Sequence, residues 1–144
     1  MAATSRELDE FLNAGLKRQI DADFALHDGD PGPRLALWTH EDPVTLFGAA
    51  VPVESGRAGI ERIAQWLAGR MSQSKKFDVE LVAAGVSGDL AYTVGFEHSE
   101  YSFDGGPVQT AVLRVTHVYR RESGQWRIVH RHGDHPPVDR RGEV

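Results

Sequence analysis

The stretch Gly124-Gln125-Trp126-Arg127-Ile128-Val129-His130-Arg131-His132-Gly133-Asp134 decides how this chain is read. It leaves a Ser123-Gly124 turn and splits its apolar and polar residues between two faces, the pattern of a half-buried strand. Residues 112–121, just before the turn, have the same split, so the two segments pair as an antiparallel hairpin. Placing Glu122 opposite Gln125 sets His117 opposite His130, Thr116 opposite Arg131 and Val118 opposite Val129. One face then carries Arg114, Thr116, Val118, Val129 and Arg131. The other carries Leu113, Val115, His117, Tyr119, Trp126, Ile128, His130 and His132. A slip of one residue would exchange the two sets.

Working outward, the second half of the chain reads as strand throughout. Residues 77–82 alternate, Ser87-Gly88-Asp89 is a turn, residues 90–101 and 108–121 are strands, and residues 103–107 close a hairpin. The first half is helical. Thr4-Ser5-Arg6-Glu7 fits a capping box. Leu8, Phe11, Leu12, Leu16, Ile20 and Phe24 follow it as an apolar stripe, ending near His27 at the Gly- and Pro-rich residues 28–33. Asp23, late in this helix, is expected to face water. Residues 33–38 suit a short helix. Residues 43–47 suit a strand, with Val51-Pro52-Val53 as an edge partner. Residues 57–71 form a second helix, striped by Ile60, Ile63, Ala64, Leu67 and Met71, with Trp66 at its margin. Helices first and then a four-strand meander give an α+β class. Residues 1–135 are expected to form a single domain and residues 136–144 a mobile tail.

Composition narrows the function. The 144 residues include no cysteine, so disulfides, thiolate metal sites and cysteine nucleophiles are excluded. A net charge of -5 argues against a nucleic-acid partner. No apolar run reaches the roughly 18 residues that would span a bilayer, so no membrane partner is expected. A cytoplasmic protein without a cofactor is the expectation.

The element order, together with Gly88-Asp89-Leu90-Ala91-Tyr92, Arg114-Val115-Thr116 and the opening stretch, resembles the nuclear transport factor 2-like superfamily. It is most similar to the SnoaL-like branch and to the calmodulin-dependent kinase II association domain, and more distantly to ketosteroid isomerase. The resemblance implies a cone: a strongly curved, mainly antiparallel sheet wrapped around the long helix, with a ligand pocket at its open end. It also implies that the Arg114 face lines the pocket, although composition alone would put the more apolar face inward. Val94 and Phe96 face the pocket by the same matching. The apolar outer face would then be covered in a homodimer, sheet against sheet.

The resemblance also implies what the chain is not. The isomerase base would fall near Phe47 or Gly48, its tyrosine at Ala22 and its second acid at Thr116, so a standard ketosteroid isomerase is not expected. No Gly-x-Ser-x-Gly elbow occurs. His117, His130 and His132 share a face in this register and could hold zinc, but no carboxylate is clearly placed to complete the site, and no metal is expected. The expected ligand is a small, partly apolar, anionic organic molecule. Trp38, Phe47, Trp66, Tyr92, Val94 and Phe96 would form its walls, and Arg114, Thr116 and Arg131 its polar contacts. Either arginine could instead be held by Glu97, Glu100, Asp23 or Asp42. His98 is the candidate acid or base for an isomerase, cyclase or dehydratase that moves a proton next to a carbonyl. The alternative is a non-catalytic ligand-binding or oligomerisation module.

Overall fold

The computed structural model describes residues 2–143. Helix α1 (Ala2–Phe11) runs through a π-helical turn (Leu12–Leu16) into α2 (Lys17–Leu26). Thr4 lies inside α1 rather than ahead of it, and the side chains of Thr4 and Ser5, on which the capping box rests, lie outside the described residues. Short α3 (Gly32–Leu37), β1 (Thr45–Phe47), β2 (Glu54–Ser55) and α4 (Arg57–Ala68) follow. The meander is β3 (Met71–Ser87), β4 (Leu90–Phe103), β5 (Gln109–Glu122) and β6 (Gln125–Asp134).

The fold is α+β, with one six-stranded sheet in the order β2-β1-β6-β5-β4-β3. Within it β1 pairs parallel with β6, the other strand pairs are antiparallel, and an isolated parallel bridge joins Trp38 to Ile128. Several element boundaries differ from expectation. The partner of β1 is Glu54–Ser55 rather than residues 51–53. Met71 opens β3 instead of closing α4, and residues 72–76 form an irregular part of that strand. These are end effects, where local patterns are weakest.

The register of the decisive hairpin is corrected more deeply. Ser123 and Gly124 both have positive φ, 50° and 79°, which builds the tight turn and pairs Glu122 with Gln125 as expected. Pairing holds as far as Tyr119 opposite Ile128. A bulge then leaves Val129 without a partner, so Val118 lies opposite His130, His117 opposite Arg131 and Thr116 opposite His132. Val115, His117, Tyr119, Ile128 and Arg131 therefore share the helix-covered face. Arg114, Thr116, Val118, His130 and His132 share the other. Composition was the better guide to the inner face, and the resemblance inverted it.

The inner apolar residues are sealed by the chain's own helices. Phe11, Trp38, Tyr119 and Ile128 are at most 2 % exposed. The Phe11 ring meets Tyr119 and Trp126 edge-on, at 5.0 and 5.2 Å between centroids. The face carrying Val115, Tyr119 and Ile128 thus needs no second copy to cover it.

The buried side of the long helix runs through Phe11, Gly15, Gln19, Ala22, Asp23 and Leu26, at the three- and four-residue steps of one helix face. Phe24, expected in the apolar stripe, is 40 % exposed.

Gly95 allows β4 to lie close to the bulged part of β3. A Cβ there would stand 2.4 Å from the backbone oxygen of Glu80. We expect Gly95→Ala to destabilise the fold by about 1–3 kcal/mol, as overpacking does, read as a lower midpoint in urea. An unchanged midpoint would show that the strands part freely here.

Candidate functional site

The curved sheet and the helices enclose a cavity of about 360 Å³. This lies toward the small end of the roughly 300–1,000 Å³ usual for ligand sites. Its walls are apolar: Leu26, Trp38, Leu46, Ile60, Ile63 and Leu67 are among them. Its polar floor comes from four elements. Asp23 projects from α2 and His27 from the cap at its C-terminus, Arg34 from α3, Glu97 from β4 and Arg131 from β6.

The floor is tightly bonded. Arg131 grips Glu97 with two prongs, Nη1 to Oε2 at 2.8 Å and Nη2 to Oε1 at 2.9 Å. Arg34 Nη1 donates to Asp23 Oδ1. Gln19 Nε2 donates to both carboxylates, Asp23 Oδ2 and Glu97 Oε2, the latter at 3.1 Å. Arg131 Nη1 also stands 3.1 Å from Nε2 of His117, the residue opposite it in the hairpin. The α2 positions 19, 23 and 27 are four residues apart, which sets them along one side of the helix.

Burial and charge fix the protonation states. Burial alone would raise the Glu97 carboxyl, but the Arg131 charge and hydrogen bonds outweigh it and hold the group below its ordinary value. Burial pushes the His117 imidazole well below its ordinary value, and the Arg131 charge adds to this. A neutral His117 can accept a hydrogen bond from the Arg131 guanidinium at Nε2. Burial also lowers His27, against the opposing pull of Asp23 and Glu97. The Nδ1 atom of His27 is buried and has no hydrogen-bond partner among the described residues. Its ring lies 4.4 Å from that of Tyr101, a cavity residue whose hydroxyl is pushed up by burial.

Of the residues expected at the site, Trp38 and Arg131 line this cavity. Arg114 lies on the outer face in a two-pronged pair with Asp134, at 2.8 and 2.9 Å. Val94, Phe96 and Thr116 border an outer cleft beside it. Phe47 is exposed between His130 and His132, and Tyr92 is equally exposed. Trp66 packs against Phe103 outside the cavity wall, under the Arg70 guanidinium. His98 sits on the outer face, bonded to Glu80 at 3.0 Å. The bulge separates His117 from His130 and His132, so the three histidines do not share a face. Among the described residues, no group of three His, Cys, Asp or Glu could hold a metal ion.

Asp23, His27 and Arg34 escaped the sequence reading as site residues. Asp23 was assigned to water because a charged helix residue usually faces solvent. A usable signal was the four-residue spacing of Gln19, Asp23 and His27.

Comparison with known proteins now becomes informative. The SnoaL-like domain profile matches residues 23–138. The chain belongs to the SnoaL-like family. This SnoaL-like chain is similar in fold to a nuclear transport factor 2-like protein from Salmonella enterica, at 23% identity and a TM-score of 0.74, covering 97% of this chain and 98% of that one. It is also similar to a proposed dehydratase from Streptomyces avermitilis, at 21% identity and a TM-score of 0.72, covering 93% and 99%. A proposed calcium/calmodulin-dependent kinase II association domain from Thiobacillus denitrificans matches at 19% identity and a TM-score of 0.68, covering 86% and 96%. No curated protein matches the chain. Among the described residues, no helix is long and apolar enough to cross a membrane.

The site predicts an acid-sensitive fold. His117 has an ordinary value of 6.5 and is depressed when folded, so below 6.5 the unfolded chain binds a proton that the folded chain refuses. This stability is full above 6.5 and declines as pH falls. Glu97, depressed below its ordinary 4.5, adds a further loss as pH falls through its folded value. We expect the urea midpoint to drop from about pH 7.5 to about pH 5.5, and His117→Gln to flatten that drop. An equally steep drop in the variant would remove His117 as its source.

Proposed function

We propose that this SnoaL-like chain binds a small, largely apolar carbonyl compound in the cavity and moves a proton beside the carbonyl, with His27 as the base. The observation that carries this reading is the imidazole of His27, which lines an apolar cavity and takes no part in the closed floor network. Burial favours its neutral, proton-accepting form near neutral pH. Tyr101, kept protonated, supplies an adjacent donor.

Chemistry next to a carbonyl needs such a pair: a base for the carbon-bound proton and a donor for the developing enolate oxygen. His27 would take the proton, the electron pair would move onto the carbonyl oxygen, and Tyr101 would stabilise that charge. Returning the proton to another carbon is isomerisation, and losing a β-hydroxyl as water is dehydration. The fold likeness to a proposed dehydratase is compatible with the second outcome.

The second reading is a non-catalytic binding or assembly module. It is favoured by the closed ion pairs of the floor and by the likeness to a proposed kinase association domain. Under either reading we propose a homodimer through the outer sheet face. Phe47 and Tyr92, each 44 % exposed, lie on that face, with Val94 and Phe96 beside them.

Two measurements test these readings. Wild-type protein should speed the exchange of α-protons of 2-tetralone in heavy water, followed by proton NMR, and His27→Gln should slow it by about 10²–10⁴-fold. No acceleration by the wild type would leave the module as the better reading. Sedimentation at micromolar concentration should show a dimer that Tyr92→Glu converts to monomer; a wild-type monomer would remove the outer-face assembly.

A further inference from the structure

The sequence placed two arginines side by side as a clamp for an anion. The structure separates them, and the one that reaches the cavity arrives already engaged. Arg131 and Glu97 form a two-pronged pair with side chains 12% and 4% exposed. The second cavity arginine, Arg34, is paired with Asp23 at 5% and 4% exposure. The two guanidiniums and two carboxylates cancel in charge, and His27 is depressed toward its neutral form.

A carboxylate entering this cavity would leave water and meet no unmatched cation. Displacing Glu97 from Arg131 would strand a buried carboxylate, whose other hydrogen bond comes from the neutral amide of Gln19. An ammonium ligand faces the mirror problem, since Arg131 and Arg34 already occupy both carboxylates. An uncharged oxygen meets neither penalty. A guanidinium carries five N–H donors, so Arg34, with one donor bonded to Asp23 in the floor, retains donors that a carbonyl or hydroxyl could use.

We propose that Glu97 is the specificity-determining residue of the cavity. By saturating Arg131 it removes the floor's anion site and reserves the cavity for uncharged molecules with a hydrogen-bonding oxygen. This rests on the cavity being a ligand site, as proposed above, but does not depend on His27 catalysis. Glu97 is needed in this role because Arg131 is always protonated and cannot be silenced by losing its own charge. The same geometry assigns Gln19 a supporting part, since its amide holds the Glu97 and Asp23 carboxylates together from the helix side.

The experiment is a titration with three probes of one shape and different charge: 2-acetylnaphthalene, 2-naphthoate and 2-naphthylmethylammonium, followed by calorimetry at neutral pH. Wild-type protein should bind the neutral ketone at least about tenfold more tightly than either ion, a difference of about 1.4 kcal/mol. Glu97→Gln keeps the side-chain shape but leaves Arg131 unmatched, so the ratio should shift toward 2-naphthoate by at least about tenfold. Folding of the variant is checked by its melting transition; should it fail to fold, the wild-type ratios still decide. Tighter binding of 2-naphthoate by the wild type would overturn the proposal while leaving the cavity as a ligand site. An unchanged ratio in folded Glu97→Gln would overturn it equally. Binding of none of the three probes would overturn both this proposal and the ligand-site reading beneath it.

Discussion

A buried guanidinium and a buried carboxylate cannot be left apart. The Glu97–Arg131 pair ties the middle of β4 to the end of β6 across the inner face of the sheet, and the strand between them supplies His117 as a further acceptor. Gln19 joins the pair to α2, and Asp23 passes the connection to Arg34 on α3. The curvature of the sheet, the position of the long helix and the short helix beyond it thus meet at one set of charges. Removing one partner would leave the other charged in a medium of low polarity, a loss of about 3–5 kcal/mol for buried pairs in general. Such a network holds the wall of a cavity at fixed distance.

The class and the order of elements were legible because they rest on long periodic stretches. The helix ended at Asp28 and Gly29, and the β5–β6 turn was placed by Ser123-Gly124. The site was less legible, for two reasons. The bulge at Val129 shifts the phase of the strand residues that follow it. An alternating pattern read through the bulge assigns Arg131 to the face of Arg114. Asp23 was set outside by its charge, although it follows Phe11, Gly15 and Gln19 at the four-residue steps of one helix face. The first error comes from treating a strand as having one period from end to end, the second from letting residue type override position. Arg131 was still expected at the pocket, because an inverted face and a missed bulge cancelled at that residue.

The two faces of the sheet divide the chemistry. On the inner face, charges are few, matched and shielded by apolar walls, which suits a ligand whose oxygen must be recognised without a net field. On the outer face, charged pairs such as Arg114–Asp134 remain in contact with water beside exposed aromatic rings. The SnoaL-like family profile covers strands contributing to both faces. The cavity lining and the outer face therefore draw on different side chains of the same strands, so a substitution in one leaves the residues of the other in place.

The Val129 bulge has a consequence for how such a cavity can be rebuilt. A single unpaired residue acts as a gear change: positions before it keep their teeth while positions after it engage the opposite side. Removing Val129 would leave Ile128, His130 and Arg131 with their present partners, because the ladder already skips that residue. Ironing the bulge out at constant length would instead set His130 opposite His117, presenting His130 and His132 to the interior and carrying Arg131 outward. The cavity keeps a guanidinium rather than an imidazole lining only while β6 carries one surplus residue at that point.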